Sequence, residues 1–405
     1  MTKQQTTLYL FKNYPKYFND LLCTYYPFSD EQVERNIKFI NWEALSKNKN
    51  RPWNLDFILR HQDKLNWHEL SDNVALPWSE HFFETYKNKF HRLNICLNPA
   101  LPWSPDFILK YETYWSYHYL VLNASIPWTK ELVLHPKIVD KNMTYLQAKN
   151  LWTQEFLIAH ARVLPWHWLC YNPHINWTHQ LISKLSPYWL KYEKNTSDMS
   201  ASPWKGLCSN TSIPWNKSWI EKYQKSGKRK YGISWASLSG NPNLPWQSEN
   251  LLEEYASKWD WELLSENNGV AFTEEQLEKF KDLIVWSSNK SSHSCISSNT
   301  SLPWSKSLIK KYFERWDWFL LCKNPAIHWS EELIKEFKDY IYWNGFKSNP
   351  NLPWSLDFIT RHEENLDFNL MSWNDNFNEH LWNEVFRDVI DERMLDQCLY
   401  QDFLK

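Results

Sequence analysis

The chain has 405 residues, and its 45 lysines and arginines nearly balance 47 aspartates and glutamates, which leaves a net charge of -2. Such a balance creates no global field that would attract nucleic acid or an anionic membrane. The longest apolar stretch near the start, Leu8 to Phe11, is too short for a signal peptide or a membrane span, so we expect a cytoplasmic protein.

A tripeptide of the type Pro-Trp-Ser returns along the chain, and seven of its twelve intervals are 25 residues long. A fixed period between about 20 and 50 residues is typical of a repeat array, in which each unit buries its apolar face only against its neighbours. We call the central aromatic residue of each copy the anchor. The anchors are Phe28, Trp53, Trp78, Trp103, Trp128, Trp152, Trp177, Trp215, Trp246, Phe272, Trp304, Trp329 and Trp354.

Residues 1–27 come before the first anchor, and the stretch from Pro15 to Tyr26 predicts a helix that caps the N-terminal end of the array. Residues 28–370 contain the tandem repeats. Residues 371–405 are predicted to form a C-terminal cap, with a polar closing helix from Trp382 to Lys405.

Within a repeat, the residue after the anchor predicts the start of a helix. Ser355, which follows Trp354, is a good N-cap because its hydroxyl can accept a hydrogen bond from an amide of the first helical turn. Trp354 and Ile359 have the spacing of a hydrophobic staple, which packs the residue before the cap against the fourth helical residue. The pattern predicts a helix of about ten residues after each anchor.

A second, shorter helix is predicted before each anchor. Ahead of Phe272, Trp261 and Leu264 are three residues apart and therefore share a helical face. Asn267 lies five residues before this anchor, and Asn recurs at that position in most repeats. Asn tolerates the left-handed conformation that ends many helices, and the chain has only 6 glycines. We therefore expect these asparagines to end the second helix.

Most of the 28 tryptophans and four of the seven cysteines fit the repeat as core residues. Most tryptophans are anchors or lie eleven residues before an anchor, so we interpret them as packing residues and not as a ligand groove. Cys96, Cys170, Cys208 and Cys322 lie seven residues before an anchor, where other repeats have Ser. We interpret them as buried, reduced thiols and predict neither a disulfide nor a metal site.

Three insertions interrupt the period, near residues 186–209, 222–232 and 287–301. The first is predicted to be a loop around Glu193 to Pro203. The second contains a basic run, which is the candidate partner-binding site because lysine and arginine can bind phosphate or an acidic partner. Its basic residues are Lys222, Lys225, Lys228, Arg229 and Lys230.

The sequence contains no phosphate-binding glycine loop, no His-Glu-x-x-His and no Gly-x-Ser-x-Gly. We therefore expect no enzyme activity, no cofactor and no small-molecule substrate. An alternative is an enzyme whose site is built across repeats. It would need a deep pocket that gathers irregular polar residues such as His167, His174 and Glu193.

The segments Asn241 to Trp246 (Asn-Pro-Asn-Leu-Pro-Trp) and Trp316 to Leu321 (Trp-Asp-Trp-Phe-Leu-Leu) resemble Trp-rich tandem repeats of large DNA viruses and some bacteria. Those repeats follow the pattern NPNITW and WDWxxLSxNPN, whereas this chain has Leu-Pro before the anchor. The likeness covers about residues 28–370. It implies a repeat scaffold and transfers no catalytic residue.

These features predict an all-α solenoid of about thirteen short helix-pair repeats with a cap at each end. A leucine-rich-repeat-like solenoid is the alternative, because about 25 residues and a fixed Asn also fit that fold. The predicted function is a non-catalytic scaffold for another macromolecule, in first place a protein, in a role such as effector, inhibitor or immunity component in microbial conflict. The alternative is a nucleic-acid-associated scaffold that uses the basic insertion at 222–230.

Overall fold

The computed structural model describes residues 2–136, 148, 151–195, 202–224, 232–287, 295–366, 368 and 375–399. Within these ranges the regular elements are helices, and no residue is in a β-strand. The predicted all-α repeat fold is confirmed, whereas the leucine-rich-repeat alternative is wrong because it needs a strand in every repeat. The chain forms two compact units. The first contains residues 1–102 and 318–405, and the second contains residues 103–317. The number of repeats and the domain boundaries stay predictions.

A short helix follows each anchor, and the predicted N-caps begin these anchor helices. Ser79 Oγ, for example, accepts a hydrogen bond of 3.1 Å from Phe82 N. Most anchor helices have six or seven residues and not about ten, because the main chain leaves helical geometry eight residues after the anchor, as at Tyr111 and His362. The anchor helices are Asp30–Arg35, Leu55–His61, Glu80–Tyr86, Pro105–Lys110, Lys130–Val133, Gln154–Ala159, His179–Asn195, Lys217–Gln224, Leu251–Glu254, Glu274–Lys279, Lys306–Lys311, Glu331–Glu336 and Leu356–Arg361.

The second predicted helix is also present, and we call its copies the pre-anchor helices. Its apolar residue eight positions before the anchor is buried, as Leu70 is. Three-residue 3-10 turns, Lys338–Tyr340 and Glu363–Asn365, follow two of the anchor helices. The pre-anchor helices are Trp42–Lys47, Trp67–Asp72, Asn94–Leu97, Tyr117–Leu120, Trp166–Leu169, Pro203–Ser209, Trp235–Ser239, Trp261–Glu266, Ile296–Ser298 (a 3-10 turn), Trp318–Lys323 and Trp343–Phe346.

Successive pre-anchor helices pack side by side within each compact unit. In the first unit, Trp67–Asp72 contacts both Trp42–Lys47 and Asn94–Leu97. In the second unit, Pro203–Ser209 contacts Trp166–Leu169 and Trp235–Ser239 in the same way. Each repeat therefore buries its apolar face against its neighbours, as a solenoid requires.

We expect a peptide of residues 329–353, a single repeat, to be disordered. Ordering it costs roughly 37 kcal/mol at about 1.5 kcal/mol per residue. Burying each of its large aromatic residues gains only about 4–6 kcal/mol, so neighbouring repeats must supply the rest. Circular dichroism checks this prediction, and a helical spectrum that melts cooperatively would contradict it.

The asparagines before the anchors join adjacent repeats. Asn73 Nδ2 donates hydrogen bonds of 2.9 Å to Ser46 O and to Asn48 O in the preceding repeat, and Asn73 Oδ1 accepts one of 2.9 Å from Ala75 N. Asn73 ends helix Trp67–Asp72 as predicted, but its backbone is extended, with φ -79° and ψ 110°, and not left-handed. The same inter-repeat bonds form at Asn48, Asn98, Asn210, Asn241, Asn267, Asn299 and Asn349.

The small residues seven positions before the anchors form a second row of inter-repeat bonds. Ser71 Oγ donates to Trp67 O at 2.6 Å and accepts from His91 N, in the next repeat, at 2.8 Å. Cysteine sulfur replaces the hydroxyl at Cys322, whose Sγ accepts from Tyr342 N at 3.4 Å. Cys96, Cys170, Cys208 and Cys322 are free and buried, as we interpreted them.

Tryptophans occupy two kinds of position. Trp53, an anchor, is buried, and its indole N–H donates to Asn48 O at 2.7 Å. Trp67, eleven residues before an anchor, is only half-buried, and the Lys89 ammonium lies 5.2 Å from its ring centroid. The other anchors are buried as well, except for the half-buried Trp78, Trp103, Trp128 and Trp304, whereas the second position is buried at Tyr117, Trp166 and Trp204. The interpretation as core residues therefore holds for most anchors and only in part for the second position.

The two ends of the chain pack against each other inside the first compact unit. Tyr14 Oη donates to Glu363 Oε1 at 2.7 Å, and the Phe18 ring lies 5.3 Å from that of Phe368 and 5.4 Å from that of Phe386. The terminal helices are Lys3–Asn13, Pro15–Tyr25, Asp375–Leu381, the wider π-helical turn Trp382–Phe386, and Glu392–Leu399.

The helix predicted from Pro15 is confirmed. The prediction of a single closing helix from Trp382 is wrong, because the segment between Phe386 and Glu392 is not helical. Residues 400–405 lie outside the described ranges.

The first insertion is partly helical. Helix His179–Asn195 continues through Pro187 and includes Glu193, so the predicted loop is wrong for residues 193–195. Pro187 has no N–H to donate to Ser183 O, and the Ser186 hydroxyl reaches that oxygen at 3.5 Å. Residues 196–201, 225–231 and 288–294 of the three insertions lie outside the described ranges.

Candidate functional site

A groove of about 600 Å³ lies between the repeats with anchors Trp329 and Trp354, in the first compact unit. Its walls come from the anchor helix Glu331–Glu336 and from His362 of the next repeat. Ile334, Ile341 and Trp343 form its apolar part, and Glu332, Lys335 and Lys338 form a charged rim.

The helix Glu331–Glu336, which forms one wall of the groove, follows from local features of the sequence. Ser330 Oγ accepts a hydrogen bond of 3.2 Å from Leu333 N and so begins the helix Glu331–Glu336. Leu333 and Ile334 are buried, and this leaves the acidic and basic residues of the helix at the rim. Helical periodicity therefore sets the division between apolar interior and charged edge.

Bonds between repeats hold the two walls together. Glu331 accepts from Arg361 at 2.7 Å, and His362 Nε2 lies 3.3 Å from its other oxygen. The His362 ring packs between the rings of Trp343, at 4.9 Å, and Phe358, at 4.6 Å. The exposed ion pair contributes no more than about 1 kcal/mol, so ring packing is the main source of rigidity.

Two exposed tyrosines flank the groove residue Ile341 in the sequence. Tyr340 is 46% exposed and packs on the ring of Trp318 at 5.3 Å. Tyr342 is 55% exposed, with its ring edge toward Phe319 at 6.4 Å. Together with the half-buried Trp343 they form what we call the tyrosine surface.

Tyr342 occupies a position that caps a helix in four other repeats, although Ser116 and Pro165 make no side-chain cap there. Asn41, Asn66, Ser234 and Asp260 precede their pre-anchor helices and accept hydrogen bonds from first-turn amides. Tyr342 precedes helix Trp343–Phe346 with no side-chain cap. Losing such a cap costs about 1 kcal/mol, so the repeat gives up stability at the position where it exposes an aromatic ring.

Tyr340 occupies a position that varies among the repeats. It lies eleven residues after its anchor, where Lys64, Lys89 and Arg315 place cations over tryptophan rings and where Tyr114 and Leu283 are also found. The missing cap residue at Tyr342 is visible in the sequence when the repeats are aligned on their anchors, a signal that the prediction from the basic run did not use.

The candidate basic run is described at one residue only. Lys222 is exposed on helix Lys217–Gln224, with its ammonium 5.7 Å from the Tyr223 ring centroid. Lys225, Lys228, Arg229 and Lys230 lie outside the described ranges, so their role stays a prediction.

The enzyme alternative needs His167, His174 and Glu193 to meet in one deep pocket, and His167 and His174 differ in burial. His167 is half-buried beside the Trp168 ring at 5.4 Å, and burial lowers its pKa below the ordinary value. His174 is exposed, and Glu193 lies on helix His179–Asn195. A deep pocket that gathered these residues would also bury His174.

Among the described residues, no group of three or more His, Cys, Asp or Glu is arranged to hold a metal ion. None of the helices in those ranges combines the length and the apolar character needed to cross a membrane. Comparison with protein-family models, with curated proteins and with solved structures finds no match to the chain.

Proposed function

We propose that the chain is a non-catalytic repeat scaffold that binds another protein through the tyrosine surface and its groove. The observation that supports this proposal is Tyr342, an exposed aromatic residue at a position where four other repeats have a side-chain helix cap. Tyrosine and tryptophan are enriched at protein interfaces because they supply a large rigid contact area with a polar tip.

The groove suits a protein segment that inserts one apolar side chain between Ile334 and Trp343. Its rim offers both signs of charge, from Glu332, Lys335 and Lys338. Such a rim sets the orientation of the inserted segment more than its affinity.

Capture from a lysate of the native host tests the proposal. The tagged full-length chain is used with and without nuclease, beside its Tyr342→Asn variant. We expect a stoichiometric protein that survives nuclease and is lost with the variant. Recovery that disappears with nuclease would favour the nucleic-acid alternative and the basic insertion. A partner that binds both proteins equally would place the interface elsewhere.

The Tyr342→Asn variant should also be more stable than the parent protein, by about 1 kcal/mol. The main chain at Tyr342, with φ -93° and ψ 96°, is already close to that of the capping residue Asn66, with φ -83° and ψ 104°. An asparagine can therefore cap helix Trp343–Phe346 without a change of backbone. Urea unfolding measures the gain, which separates a loss of binding from a loss of folding.

Leu283→Asn is the matched control. Leu283 is 48% exposed in the other compact unit and lies eleven residues after its anchor, as Tyr340 does. We expect the change to alter stability by less than about 0.5 kcal/mol and to leave capture intact. A variant Tyr342→Asn that is less stable than the parent would contradict the capping argument.

A further inference from the structure

A second, more polar pocket of about 260 Å³ lies in the first compact unit. The end of helix Pro15–Tyr25, the turn at Lys49 and Asn50, and the end of helix Trp67–Asp72 form three of its sides. Glu379, from the far end of the sequence, closes it. The volume is below the roughly 300–1,000 Å³ of drug-sized sites, so only a small molecule fits.

Packing of the chain ends places Glu379 there. Its neighbour Asn378 is buried and accepts a hydrogen bond of 2.7 Å from Tyr17 Oη. Trp382, one helical turn further on, stacks on the Tyr25 ring at 6.2 Å. The wall that carries Glu379 is therefore fixed against the N-terminal helix Pro15–Tyr25 by a buried polar bond and by an aromatic contact.

The pocket carries both signs of charge. Lys47 lies 3.9 Å from Glu69, and Asp72 accepts a hydrogen bond from Asn94. Lys49 and Glu379 also line the pocket, and within the described ranges neither makes a hydrogen bond or an ion pair. Lys49 lies close enough to Asp72 for its charge to oppose the rise in the pKa of that carboxyl, so Lys49 and Glu379 present opposite charges to one small volume without a hydrogen bond to a described residue.

We propose that this pocket binds a small zwitterion of the size of a free α-amino acid. Its carboxylate would bind Lys49 and its ammonium would bind Glu379. A simple anion would meet the carboxylates of Glu69, Asp72 and Glu379, and a simple cation would meet two lysines. Only a ligand with both charges is matched on both sides, and mismatched charge is an effective means of discrimination.

Such a ligand bridges the two ends of the sequence, because Lys49 belongs to the first repeats and Glu379 to the C-terminal helix Asp375–Leu381. Binding should therefore slow hydrogen exchange in that helix and raise the melting temperature, since a ligand stabilises the state that binds it. This inference goes beyond the proposed function and does not depend on it.

The test is a thermal-shift screen of the full-length chain with the twenty free L-amino acids, followed by calorimetry on those that raise the melting temperature. We expect at least one to bind, and we expect its N-acetyl and its amide derivatives to bind at least about tenfold more weakly, because each lacks one charge. Putrescine and inorganic phosphate are the single-sign probes and should produce no shift.

Lys49→Met and Glu379→Gln each remove one charge from an exposed position and should each weaken binding of the same amino acid about tenfold or more. Lys38→Met and Glu364→Gln, also exposed and outside the pocket, are the controls and should bind as the parent does. The proposal is overturned if no amino acid binds, if a blocked derivative or a single-sign probe binds equally well, or if the pocket variants retain full affinity.

Discussion

Replacing Asn73 by Ala is expected to destabilise the first compact unit by about 2–6 kcal/mol. The side chain is fully buried and makes two inter-repeat hydrogen bonds and one local bond. Asn48 O keeps a second donor, the indole of Trp53, but Ser46 O and Ala75 N lose the Asn73 side chain as partner. A buried group left without a hydrogen bond costs about 1–3 kcal/mol, and two such groups give the expected range.

Urea unfolding of three variants measures this effect. Asn73→Asp replaces the donating amide by a carboxylate that faces carbonyl oxygens, so it should destabilise at least as much as Asn73→Ala. Asn88→Asp makes the same chemical change at an exposed position and should stay within about 0.5 kcal/mol of the parent. If Asn73→Ala were as stable as Asn88→Asp, the inter-repeat bonds would not contribute to folding.

The parts of the fold that the sequence predicted depend on local contacts. The bond from Phe82 N to Ser79 Oγ spans three residues, and so does the helical spacing of Trp261 and Leu264. The sequence predicted that the asparagines end helices, but it did not predict their inter-repeat bonds, because these reach about one repeat back, from Asn73 to Ser46. The sequence of one repeat by itself indicates only a local role for the asparagine side chain, which is to end a helix.

The candidate sites were missed for two different reasons. The sequence shows Tyr342 at a position where several repeats have a capping residue. The prediction of the binding site relied instead on the positive charge of Lys222 and its neighbours. The polar pocket was not accessible from sequence, because Lys49 and Glu379 are 330 residues apart and no motif relates them. Their meeting depends on aromatic packing between the chain ends.

Arg51 is the most unusual residue of the array. Its side chain is fully buried and donates to Asp30 Oδ1 at 2.7 Å, with its guanidinium 3.6 Å from the Phe57 ring centroid. Burial lowers its pKa to about 10, although Asp30 opposes the shift. Arg51 lies two residues before its anchor, where other repeats have a buried aliphatic residue: Leu76, Leu101, Ile126, Ile175, Ile213, Leu244, Val270, Leu302, Ile327 and Leu352.

Asp30→Ala is therefore expected to destabilise the first compact unit by about 3–5 kcal/mol, because it leaves the Arg51 charge buried and unpaired. Arg51→Leu should be as stable as the parent or more stable, since Asp30 is partly exposed and keeps hydrogen bonds from Asn54 and Arg60.

The double variant Asp30→Ala, Arg51→Leu distinguishes the cost of the unpaired Arg51 charge from the loss of the other contacts of Asp30. If the destabilisation comes from the unpaired charge, the double variant should recover most of the stability that Asp30→Ala loses, because an aliphatic side chain at position 51 needs no counter-ion. Urea unfolding and hydrogen exchange in helix Leu55–His61 give the free energies. A double variant as unstable as Asp30→Ala would instead mean that Asp30 stabilises the fold mainly through Asn54 and Arg60, and that the buried arginine is held by its contact with the Phe57 ring.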